Sequence, residues 1–187
     1  MFDISVIIPN YNGAAFLKQA VDRALNQEKV DVEVIVIDDG SSDGSKEILI
    51  GYGKRIKVFF QENNGAPAAR NLGLKHANAD FIKFLDSDDV LLPQVLKKQL
   101  KHIEQLKDYE IPYGQAKWVD EQLKPTKGFS VASIYKGQDP VHHIFTNNPL
   151  TSSPLHRKGL LHKIGGFDEA LVKGQEFDLH LRLVMSG

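Results

Sequence analysis

Three carboxylates fall within four residues at Asp86-Ser87-Asp88-Asp89. Packed that closely, they repel one another unless water or a cation offsets their charge. In an extended segment alternate side chains point the same way, so Asp86 and Asp88 can converge on one ligand. Oxygen donors without His or Cys suit magnesium or manganese. Such ions are commonly held by one or two carboxylates together with substrate phosphate oxygens. The same residues would equally make a solvated turn, with Asp89 capping a helix opened by Pro93.

Four other groups could do chemistry. Asp38-Asp39 closes an apolar run, where a carboxylate can accept from a ribose hydroxyl or a base N–H. An ordinary Asp-Gly-Ser turn is the plainer reading. Arg70 follows Pro67 near a helix start and suits either a phosphate or an acidic neighbour within the chain. Pro9 and Tyr11 follow the first apolar run and could border a planar base, or Tyr11 could sit on a rim. Glu176, in Gly174-Gln175-Glu176-Phe177-Asp178, is a general base if it faces a pocket. Taken alone, that segment reads better as an acidic helix start. The seven histidines show no metal-ligand spacing and read as surface or hydrogen-bonded structural residues. Trp118, Tyr113 and Phe129 read as packing residues.

The elements that would position these groups follow from periodicity. Apolar runs rich in β-branched residues at 4–8, 32–37, 56–60 and 81–85 read as buried strands. Helical stripes follow them: Phe16 to Leu25 after an Asn12 cap, a short piece with Ile48 and Leu49, one from Pro67 to about Ala77, and one from Pro93. Strands alternating with helices predict an α/β fold with a mainly parallel central sheet and helices on both faces. Ligands of such sheets sit beyond the carboxyl ends of the strands, where every cluster named above lies. Further on, 115–119 reads as a strand, 124–139 as loop and edge structure, 160–164 as a short helix and 177–185 as a helical stripe.

Length and composition bound the rest. The 187 residues fit one domain, 1–187. Net charge is -1, so no global field draws the chain to nucleic acid. Without cysteine there is neither a disulfide nor a thiolate nucleophile. The start, Met1-Phe2-Asp3-Ile4, lacks a secretory leader, and no apolar run reaches the roughly 18 residues of a membrane span. A cytoplasmic location fits, with peripheral contact at the inner face of the membrane allowed. The sequence stops within a helix-like pattern, which suggests that the C-terminal part of a longer chain is missing.

In combination the motifs are more specific than apart. Val6-Ile7-Ile8-Pro9-Asn10-Tyr11-Asn12, Val36-Ile37-Asp38-Asp39-Gly40-Ser41-Ser42-Asp43, Asn64-Gly65-Ala66-Pro67-Ala68-Ala69-Arg70-Asn71-Leu72-Gly73 and Phe84-Leu85-Asp86-Ser87-Asp88-Asp89 occur in the order and spacing of one family. The chain resembles the inverting family 2 glycosyltransferases of GT-A fold, nearly throughout and least over 109–148. Gly165-Gly166-Phe167-Asp168-Glu169 and the run from Gln175 to Leu183 look like that family too. The resemblance implies that Pro9, Tyr11, Asp38, Asp39, Arg70 and Asp86 surround the nucleotide. It makes Asp86 and Asp88 the Asp-x-Asp motif, with Asp88 the direct ligand of magnesium or manganese. The family's acidic pair before the last helix usually ends in an Asp base; the matching positions here read Gln175-Glu176, which makes Glu176 the base. The implied partners are a nucleotide-sugar donor, with UDP the family-level expectation, and a glycan or lipid-linked acceptor of polysaccharide or cell-envelope glycan biosynthesis. Two rivals stand beside this: a nucleotidyltransferase on a similar sheet, and a non-catalytic nucleotide-binding module. The first should carry a glycine-rich basic loop after strand one, where Pro9-Asn10-Tyr11-Asn12-Gly13 has no basic residue. The second leaves Asp86 to Asp89 and Glu176 idle.

Overall fold

The structure, a computed structural model, describes residues 2–107, 110–129 and 137–186, with the side chains of 127–129 excepted. Five strands form the main sheet: β1 (Ile4–Asn10), β2 (Val32–Asp39), β3 (Lys57–Gln61), β4 (Phe81–Phe84) and β7 (His156–Arg157). Their order is β3-β2-β1-β4-β7; the first four are parallel and β7 runs antiparallel to β4. The expected mainly parallel sheet is therefore present. Its strand bounds differ from the sequence reading by one or two residues, as fraying ends do.

Side-chain alternation divides the core in two. Ile4, Val6 and Ile8 of β1, with Val34 and Val36 of β2, face α1 (Ala14–Leu25), α2 (Ser45–Gly51) and α4 (Val95–Ile103). Ile7, Ile35, Ile37, Ile82 and Phe84 face α3 (Ala66–His76), α6 (Lys158–Lys163) and α7 (Gln175–Met185). Burial on both faces is why these strands are unbroken apolar runs rather than alternating ones. Each such side chain contributes about 1.5–3 kcal/mol when fully buried.

Packing on the α3 side is close. A Cβ on Gly73 would lie 2.3 Å from Ile7 Cγ2. Ile7 is fully buried in the central strand and has no room to withdraw. Gly73→Ala is accordingly expected to lower folding stability by about 1–3 kcal/mol, the usual cost of overpacking. Urea denaturation measures it, and a variant as stable as the parent would show that α3 can lift off the sheet freely.

Several local readings change. Asn12 does not cap α1: it has φ 52, and its Oδ1 accepts from the Ser42 amide while Gly13 precedes the helix. Asp89 does not cap α4, which starts at Val95 after Gln94, two residues beyond Pro93. The strand read at 115–119 is β5 (Ala116–Val119), paired with β6 (Pro125–Phe129) in a separate hairpin. Part of the segment read as loop and edge, 130–136, lies outside the described residues, as does the Phe129 side chain. Trp118 is more than half exposed and packs no core. Three histidines, His143, His156 and His180, are buried. Helix α5 (Pro140–Asn147) and strand β7 had no counterpart in the sequence reading. Among the described residues, no helix is long and apolar enough to cross a membrane.

Candidate active site

The carboxyl ends of β1, β2 and β4 open into a cleft of about 340 Å³. Pro9, Tyr11, Asp39, Arg70, Asp86 and Asp88 all line it. Two predicted site residues do not: Asp38 and Glu176. A larger, open depression of about 550 Å³ lies over the outer side of α1 and holds none of the predicted residues.

The floor of the cleft is stitched from loops. Asp38 is buried and turned inward, accepting from Asn10 Nδ2 at 2.9 Å and from the Ser41 amide at 3.0 Å. Asp38 thus anchors the turn and does not line the cleft. Asp39 is equally buried and accepts from Gln61 Nε2 at 2.6 Å and from the amides of Asn64 and Gly65, each at 2.9 Å. It holds the loop that leads into α3. A carboxylate has about four acceptor sites, so one remains for a ligand. Gly13 permits the β1–α1 loop to close on the acidic segment: a Cβ there would sit 2.4 Å from Asn10 Oδ1 and 2.9 Å from Ser87 Oγ.

The acidic segment is held from below. The Asp86 amide donates to Ser152 Oγ at 3.0 Å, and the Asp89 amide donates to the Asp86 carbonyl at 3.0 Å. Burial raises the pKa of the Asp89 carboxyl; the Ser152 hydroxyl and Lys83 oppose the shift, while Asp86 and Asp88 add to it. Lys83 is fully buried behind it, donating to Gln99 Oε1 and the Ser153 carbonyl. Desolvation lowers its pKa to about 7 despite the attraction of Asp89. Asp89 thus faces the protein interior, and Asp88 is the exposed carboxylate that lines the cleft.

Arg70 is buried at the junction. It donates to Asp86 Oδ1 at 2.7 Å and to Gln175 Oε1 at 2.8 Å, and it sits over the Phe167 ring. Of the two sequence readings of Arg70, the internal ion pair is present, and the residue also borders the cleft. Glu176 is half-buried in the first turn of α7, next to the residue Arg70 grips. Asp178 is taken up by Arg182, at 2.5 Å. Asn10, Ser152 and Gln175 were not singled out from sequence as site residues. Asn10 and Gln175 lie within motifs read from the sequence, whereas Ser152 reaches the site only through the fold.

The sequence model of glycosyl transferase family 2 matches residues 5–157. The chain belongs to that family. Among its relatives, an uncharacterized glycosyltransferase of Rickettsia felis is 33% identical over 97% of this chain and 31% of its own length. One from Rickettsia typhi is 30% identical over 97% of this chain and 58% of its own. The chain thus spans roughly a third to just over half of such relatives. A crystal structure of S. aureus TarS residues 1–349 superposes with a TM-score of 0.79 at 25% identity, over 98% of this chain and 55% of that one. The complex of the same protein with UDP-GlcNAc superposes at 0.71 and 22% identity, over 98% and 53%. The GT-A fold of family 2 is therefore the fold of this chain.

Family 2 chemistry calls for a divalent cation, and the donor set can be tested against one. Among the described residues no group of three or more His, Asp or Glu converges to cage a metal ion. One Asp86 oxygen is committed to Arg70, and Asp88 is exposed to the cleft. One or two carboxylates supplemented by phosphate oxygens is the usual arrangement for magnesium, so the residues fit an ion that arrives with its substrate.

Proposed function

We propose that this chain is the donor-binding and catalytic domain of a metal-assisted, inverting glycosyltransferase that takes a nucleotide-diphosphate sugar, with UDP the nucleotide. The observation that supports it most is the convergence of Pro9, Tyr11, Asp39, Arg70, Asp86 and Asp88 on one cleft at the strand ends. Tyr11, more than half exposed on the rim, offers a ring face to a base, and Asp39 a remaining acceptor to the nucleoside. Asp88, with Asp86, would hold magnesium or manganese, which offsets charge on the departing diphosphate.

The residues of the chain do the remaining work. Glu176 accepts the proton of an acceptor hydroxyl, whose oxygen then bonds to the anomeric carbon. The bond from that carbon to the diphosphate oxygen breaks, and one displacement inverts the centre. The geometry parallels inverting glycosidases with a sugar hydroxyl in place of water. Arg70 keeps Asp86 in place at the diphosphate end of the cleft. The acceptor is a glycan or lipid-linked hydroxyl, and action at the cytoplasmic face of the membrane is part of the same proposal.

Titration calorimetry with UDP, with and without manganese, tests this reading. UDP is the probe because the S. aureus protein of the same fold was crystallised with UDP-GlcNAc. Metal-dependent heat with UDP, weaker with GDP and ADP, is the expected result. No binding of any nucleoside diphosphate in the presence of metal would overturn this reading.

A further inference from the structure

Arg70 is where the donor end and the base end of the site touch. Its guanidinium is buried, and its Nε has no hydrogen-bond partner. The two remaining nitrogens divide their bonds between a carboxylate, Asp86, and a neutral amide, Gln175. Both partners follow Arg70 in the sequence, Asp86 by 16 residues and Gln175 by 105. The Gln175 amide is itself oriented, with Nε2 donating to the Val172 carbonyl at 3.3 Å and Oε1 accepting from Arg70.

The two ends of α7 are anchored differently. Its far part is fixed by buried Leu179 and Leu183 and by Arg182 donating to the Ile164 carbonyl. Its first turn follows Gly174, which has φ 70, and has no side-chain cap. Residues 172–174 before it are exposed. Within that turn the Phe177 ring meets Phe145 edge-on at 5.1 Å, and the Gln175–Arg70 bond ties the turn to Asp86 across the cleft, while the rest of the helix has its own anchors. The choice of an amide also matters. A carboxylate at position 175 would meet the guanidinium charge to charge, where the amide offers only a dipole, and would compete with Asp86 for one guanidinium.

We propose that Gln175 is a positioning residue for the transfer reaction: through Arg70 it sets the first turn of α7, and Glu176 with it, against Asp86, while leaving the guanidinium charge to Asp86. This rests on the reading of Glu176 as base and of Asp86 at the donor diphosphate. Misplacement of a reacting group by 1 Å can cost on the order of 10²-fold in rate, so the bond acts on turnover more than on folding.

The test uses Gln175→Leu, which removes the acceptor at similar volume, and Gln175→Glu, which restores an acceptor and adds charge. Release of UDP is followed from UDP-glucose, UDP-galactose and UDP-N-acetylglucosamine, and the best of the three is carried forward. Gln175→Leu should lower kcat by about 10- to 100-fold with donor KM and Tm little changed. Gln175→Glu should recover most of that loss and reach half-maximal rate at a lower manganese concentration, because Arg70 is drawn away from Asp86. Wild-type kcat in Gln175→Leu overturns the inference. So does a joint fall of kcat and Tm that Gln175→Glu does not rescue. Glu176→Gln, run alongside, separates the two levels: its full activity would remove the base reading, whereas its loss beside a normal Gln175→Leu removes only the positioning role.

Discussion

Glu176→Gln is expected to lower sugar transfer by about 10²–10⁴-fold, the usual worth of a general base, and to leave metal-dependent UDP binding intact. The amide keeps the volume and the helix start but cannot take a proton. Glu176 also does not line the cleft where the nucleotide would lie, so the donor should not sense the change. Asp88→Asn should behave in the opposite way. The exposed carboxylate of Asp88 faces the cleft with the acidic segment held beneath it, and neutralising it removes charge the cation needs. UDP affinity in manganese and turnover should then fall together. Paired UDP titration and turnover on both variants read the result. Full turnover in Glu176→Gln would move the base elsewhere, and Asp178, already paired to Arg182, would be a poor replacement. Unchanged metal-dependent binding in Asp88→Asn would reduce the acidic cluster to a solvated turn.

Acidification below pH 6.5 is expected to erode folding stability through two buried histidines. His156 is fully buried with both ring nitrogens unpartnered, and His180 stacks on it at 5.8 Å. Desolvation holds His156 well below the ordinary value of 6.5, with His180 and Lys83 adding repulsion, and desolvation lowers His180 to about 4. Between about pH 6.5 and 4 the unfolded chain binds protons at these sites and the folded chain does not. The unfolded state therefore gains as pH falls, by roughly 1 kcal/mol per pH unit for each histidine. Two such groups take a large share of a typical stability of about 5–15 kcal/mol. The carboxylates whose pKa is depressed, Asp22, Glu33 and Asp43, lose their contribution only lower, below their ordinary values near 4. Urea melts from pH 7.5 to 4.5 should show the loss, and His156→Phe should flatten the slope. A stability level across that window would mean that the pair is protonated in the folded state.

What could be read from sequence divides along physical lines. The strands were legible because burial on both faces forces unbroken apolar runs such as Val6-Ile7-Ile8; their ends were less so, since β1 runs through Pro9 to Asn10. Strand β7 was not, because His156-Arg157 has neither period nor apolar character and is a strand only through its pairing with Phe81 and Ile82. The Asp139 cap and Pro140 of α5 were readable signals that went unused; Asp139 Oδ1 accepts from the Val141 amide. Residue types located the cleft, since Asp86, Asp88 and Arg70 line it together. They did not show which carboxylates face inward. Asp38 and Asp39 are adjacent and look alike in sequence, yet only Asp39 borders the cleft. Ser152 under Asp86 and Gln175 on Arg70 are long-range contacts without any local pattern.

The span of those two contacts bears on how the protein is made. The hydroxyl beneath Asp86 comes from a residue 66 positions later, and the amide on Arg70 from one 105 positions later. Four parallel strands can pair once the chain has been synthesised through β4, but the cleft has no finished floor until Ser152 has left the ribosome, and Arg70 has no second partner until α7 has followed. Loop closure over such distances makes these contacts slow to form. A nascent chain would thus carry the donor motifs on a folded sheet for some time without the geometry to use them.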